Sequence, residues 1–167
     1  VGLVLMSQGV DITDASSLTE DAFNAAVDFV AAQVSSGQIF NIRGNSYVED
    51  LKNGNTIAAT VWSGDVTLIN FETESDDFAF VVPESGSTIS ADMFIVPMGA
   101  THKKNVEALI NYYYDPINAA ELAAWVNYVT PVVGAKEVLE QTDPELAANP
   151  LIFPDENFLK NTQAFRA

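Results

Sequence analysis

The chain has 167 residues, 48% of them hydrophobic and ten of them Phe, so it can bury a core and does not read as disordered. Its formal net charge of -16 excludes a general nucleic-acid binder, whose phosphate contacts require clustered Lys and Arg. There is no Cys, which excludes disulfides and thiolate chemistry.

The chain opens on an apolar stretch, VGLVLM, that is either the end of a helix or a buried strand, since periodicity does not separate the two. Opening inside a hydrophobic pattern, without Met, leads us to expect upstream residues. No apolar run reaches the roughly 18 residues that cross a bilayer. Ser17 and Glu20 have capping-box spacing, and Phe23, Ala26, Val27, Val30 and Val34 fall on one helical face, which predicts a helix over 18–36. Residues 38–42 alternate like a strand, and a short helix is expected from 44 to 52. Residues 56–62, TIAATVW, are β-branched and apolar, as a strand buried on both faces would be. A short helix over 65–70 and strands over 78–82 and 90–96 follow.

From Thr101 the spacing of Val106, Leu109, Ile110 and Tyr113 predicts a helix, broken at Asp115 and Pro116. Pro116 suits the first position of the next helix, which runs through an Ala-rich stretch to about Val126. A third helix is expected from Thr130 and Pro131 to about Glu140, and a last one over 155–163. Strands alternating with helices imply an α/β fold with a largely parallel sheet, which three helices in succession after Pro97 interrupt.

Enzyme chemistry finds little support. The one histidine, His102, stands beside Lys103 and Lys104 at a predicted helix start, an exposed position. Without a second His or a Cys there is no Ser-His triad and no His-rich metal site. Two residues are more informative. Trp62 closes an apolar strand and sits either at a cleft lip beyond the strand's carboxyl end or as a cap on the core. Asp92 lies among apolar residues, and a carboxylate there needs a structural partner or a cationic ligand.

Pro83 and Gly86, then Asp92 and Pro97, the Lys-containing turn 102–104, Leu109–Tyr112, Asp115 and Pro116, Tyr128–Pro131, and Ile152–Pro154 follow one another in an order and spacing that carry a resemblance. From about Thr56 onward the chain resembles the spermidine/putrescine-binding family of periplasmic solute-binding proteins. The resemblance implies one lobe of a type II periplasmic-binding-protein fold plus a crossing segment that belongs to the other lobe. Residues 1–91 would form a second-lobe α/β segment, 92–136 a crossing strand and helices of the first lobe, and 137–167 the return.

It further implies the substrate-binding component of an ABC importer, working in the periplasm or lipid-anchored at the cell surface, with a membrane permease as partner. It implies no cofactor, metal or catalytic residue. Carried over by position, Trp62 is a wall aromatic, Asp92 the carboxylate gripping an ammonium, Tyr128 a second aromatic and Gln163 a polar contact. Ser90 stands where the family has an aromatic, which leaves room for another amine, a metal, a sugar or an amino acid derivative. The family's other acidic grip would precede Val1. The 92–136 excursion is expected to expose apolar surface or bury it against a second copy.

Overall fold

In the computed structural model, which describes residues 1–164, the opening apolar stretch is helical: α1 spans Gly2–Ser7 and buries Leu5 and Met6. The next helix, α2 (Glu20–Ser35), starts later than the capping-box spacing suggests. Thr19 is its cap, and the Thr19 hydroxyl oxygen accepts from the Ala22 N–H at 3.2 Å. Ala26, with Ala22 beside it, packs towards Leu5, Met6 and Ile12, while Phe23, Val27 and Val34 of the expected core face are exposed. Two shorter helices follow, α3 (Tyr47–Lys52) and α4 (Ser63–Thr73), burying Leu51, Val66 and Ile69. The first strand, β1, covers Ser87–Ile89.

Residues 91–155 form a second compact unit. It holds α5 (Lys103–Tyr113), α6 (Pro116–Val126), α7 (Ala135–Thr142) and α8 (Pro144–Ala147). Asp115 caps α6 by accepting from the Ile117 N–H at 3.0 Å, with Pro116 pre-set for the first helical position. Ala119, Ala120 and Ala123 make a flat face on which Leu139 of α7 packs with Val132 and Ile152. The expected helix start at Thr130 gives way to an irregular stretch. The Thr130 hydroxyl accepts from Val132 N–H, and α7 begins only after Gly134, whose left-handed φ of 92° no β-branched residue would adopt cheaply.

The first unit comprises Val1–Ser90 and the described residues from Glu156 onward, including α9 (Glu156–Lys160) and β2 (Thr162–Ala164). β1 and β2 pair in parallel with Ser87 opposite Thr162 and Thr88 opposite Gln163. Residues 137–155, grouped above with the return segment, lie in the same unit as 91–136. The last three residues of that return segment fall outside the described residues.

The open parallel sheet is a correction. Among the described residues the only ladder is β1 with β2, and the expected strands at 38–42, 56–62, 78–82 and 90–96 carry none. A β-branched apolar run states that a segment suits a pleated, buried surface, but a ladder requires a neighbouring strand. None is present here, and Ile57 is 99% exposed instead of buried on both faces. Mixed helix and strand with parallel pairing is what remains of the α/β expectation.

Candidate ligand-binding site

Trp62 ends the apolar run as the cap residue of α4, with an extended backbone (φ -76°, ψ 140°) where the chain turns into the helix. Its indole is 55% exposed, so it does not close the core. Tyr47, at the head of α3, reaches this point. Its hydroxyl accepts from the Trp62 backbone N–H at 3.0 Å and donates to the Asp65 carboxylate in the first turn of α4. At the other end of the two helices the Lys52 ammonium pairs with Glu72 at 2.7 Å. Start is thus tied to start and end to end. The Glu72 carboxylate, with help from Glu49, holds the Lys52 ammonium above its ordinary pKa.

Just before this cluster, Arg43 Nε meets Asp50 Oδ2 at 2.8 Å, and Asp50 is largely buried. The pair ties the 38–46 loop to α3, which presents Tyr47.

Gln163, expected on the last helix, is on β2; α9 stops at Lys160 and the chain turns to pair with β1. The Ser87 N–H donates to the Asn161 carbonyl at 2.8 Å, which starts the pairing. The amide Oε1 of Gln163 is buried and accepts no hydrogen bond among the described residues. Buried acceptors are normally hydrogen-bonded, which sets this oxygen apart.

Asp92 and Tyr128 belong to the second unit. The burial expected of Asp92 does not hold: it is exposed in a segment without ladder partners, so water solvates the carboxylate and no structural partner is needed. Two residues on, the Phe94 ring packs edge-on against Tyr113 of α5 at 5.3 Å and anchors that segment. Tyr128 is 38% exposed and follows Asn127, the left-handed cap of α6. Ser90 is exposed as well. The 92–136 stretch does expose apolar side chains, Met93, Ile95, Met98 and Trp125 among them.

The structure therefore places Trp62 and Gln163 in one unit and Asp92 and Tyr128 in the other. A cavity of about 240 Å³ lined by Leu5, Leu18, Thr19, Glu20 and Phe23 includes none of the four. Two residues of the Trp62 neighbourhood escaped sequence reasoning. Asp65 is one: it opens the short helix expected over 65–70, and a carboxylate three residues after an aromatic at a helix head is a visible signal. Tyr47 left none, because 15 residues separate it from Trp62 and only folding joins them. Among the described residues no group of three or more His, Cys, Asp or Glu could hold a metal ion, and no helix is long and apolar enough to cross a membrane.

Comparison with known proteins supplies the family. Residues 2–154 match the bacterial extracellular solute-binding protein family. The chain is 26% identical over 117 residues to the spermidine/putrescine-binding periplasmic protein of Escherichia coli (strain K12), covering 70% of this chain and 31% of that protein. It is 28% identical over 120 residues to the putrescine-binding periplasmic protein PotF of the same organism, covering 66% and 30%. It is 24% identical over 125 residues to the putrescine-binding periplasmic protein SpuD of Pseudomonas aeruginosa (strain UCBPP-PA14), covering 72% and 33%. The chain spans about a third of the length of these relatives. No solved structure gives a significant match.

Proposed function

We infer that this chain, which belongs to the bacterial extracellular solute-binding protein family, serves as the substrate-binding component of an ABC importer. It captures spermidine, putrescine or a related organic cation outside the cytoplasm and delivers it to a membrane permease, without catalysis. The relatives' names supply the ligand class. The observation in this chain that carries the reading is Trp62, an exposed indole at the head of α4 with a carboxylate, Asp65, in the adjoining turn. An indole face attracts an ammonium and stacks on methylenes, and a nearby carboxylate reinforces the preference for positive charge.

In this reading Asp92 grips an ammonium and Tyr128 supplies a second aromatic surface. Gln163 is a polar contact to the ligand, through an amide oxygen that has no donor among the described residues. Residues 1–90 and the described residues from Glu156 onward belong with one lobe of the whole protein and 91–155 with the other, and hinge closure on the ligand produces the form the permease reads. Ser90, in place of the family's aromatic, favours a second reading in which the solute is a different small molecule, such as an amino acid derivative, a metal or a sugar.

Calorimetry on the full-length protein with spermidine, putrescine and a sugar panel tests this. We expect polyamine binding that weakens by roughly threefold to thirtyfold in Trp62→Ala, the range of a partly desolvated cation–π contact. Asp92→Asn should weaken it as well. Polyamine affinity unchanged in both variants, or heat from a sugar alone, overturns the proposal.

A further inference from the structure

We propose that Tyr47 is a positioning residue for the Trp62 indole; the inference rests on Trp62 being a ligand wall. Trp62 is exposed and cannot cap α4 with its own side chain, so packing alone does not set the direction of its Cα–Cβ bond. The Tyr47 hydroxyl does. It has one proton and gives it to Asp65, which turns the oxygen lone pairs towards the Trp62 N–H, accepted at 3.0 Å. That bond fixes the peptide plane between Val61 and Trp62 and hence the point from which the indole departs. The charge on Asp65 strengthens the arrangement, because a phenol bonded to a carboxylate is held more firmly than one bonded to a neutral acceptor.

Tyr47 is itself held from two sides. It is half-buried at the start of α3, and α3 is tied to α4 by Lys52 and Glu72 and to the preceding loop by Arg43 and Asp50. A rigid support under an exposed aromatic lowers the ordering cost of binding, since the wall is in place before the ligand arrives.

The test uses the full-length protein with Trp125 and every tryptophan outside these 167 residues changed to Phe, so that Trp62 is the one tryptophan left. Tyr47→Phe keeps the ring and removes the hydroxyl. We expect lower steady-state fluorescence anisotropy of Trp62 and a spermidine Kd raised by about tenfold, the scale of one hydrogen bond with a charged partner behind it. In a Trp62→Ala background Tyr47→Phe should have no further effect on Kd. If Tyr47→Phe does not fold, Asp65→Leu removes the acceptor of the same hydroxyl and should lower the anisotropy likewise. Unchanged anisotropy with unchanged Kd overturns the positioning role. If Trp62→Ala itself leaves spermidine binding intact, Trp62 is no ligand wall, a separate failure, and the anisotropy alone then decides whether Tyr47 holds the indole.

Discussion

Asn70 and Phe78 are joined twice: the Asn70 Nδ2 donates to the Phe78 carbonyl at 2.8 Å, and the Phe78 N–H donates to Asn70 Oδ1 at 3.1 Å. A side-chain amide on α4 thus gives the start of the 78–82 segment the pair of bonds that a neighbouring strand would otherwise provide. Only an amide does this, since it carries a donor and an acceptor in one plane.

Removing that amide should destabilise the fold. Asn70→Ala leaves a part-buried N–H and C=O without partners, and we expect a loss of about 1–3 kcal/mol. Asn70→Asp keeps the acceptor, loses the donor and sets a charge against the Phe78 carbonyl, so it should not rescue. Urea denaturation of the variants measures both effects.

Gly86 is the position least able to take a side chain. Its φ is 92°, and an added Cβ would lie 2.8 Å from the Asn161 carbonyl oxygen and 2.7 Å from Met6 Cε. The Met6 end can swing away, but the backbone oxygen cannot without breaking the Ser87–Asn161 bond that begins the β1–β2 pairing. Gly54 has a similar φ of 70° and open space around it. Gly54→Ala should therefore cost about 1–2 kcal/mol, the left-handed strain alone, and Gly86→Ala distinctly more. Thermal melts of the two variants provide the comparison.

In the second unit Leu139 is 3% exposed and fills the space over the alanine face of α6. Alanine has no side chain to move into a void, so that face cannot collapse. Leu139→Ala should lose about 3–5 kcal/mol, the upper part of the range for such truncations, measured by chemical denaturation.

The Asp11 carboxylate is held below its ordinary pKa by the Thr13 hydroxyl, at 2.7 Å, and then by the Thr13 backbone N–H, at 2.8 Å. A carboxylate whose folded pKa is depressed adds stability above the unfolded value, and that stability disappears as pH falls through the folded value. Thr13→Val removes the larger cause, so the Asp11 midpoint should rise towards the ordinary aspartate range. The Asp11 contribution to the acid limb of the stability profile should shrink, because its folded and unfolded midpoints draw together. Carbon-detected NMR titration of Asp11 follows the midpoint directly.

Helices were legible in the chain because their signals are local: Asp115 and Pro116 place the start of α6, and an apolar spacing of three and four places α5. The family was legible too, since ordered short motifs survive without any knowledge of contacts. Strand pairing was not. Residues 56–62 and 90–96 have strand composition, but a ladder depends on a distant neighbour, and among the described residues only β1 and β2 have one. Gln163 moved from a helix to β2 for the same reason. Trp62 could be picked out as a strand-end aromatic, whereas its support by Tyr47 and Asp65 could not. That support joins side chains from separate helices, and helix packing, which sequence spacing does not encode, is what brings them within hydrogen-bonding distance.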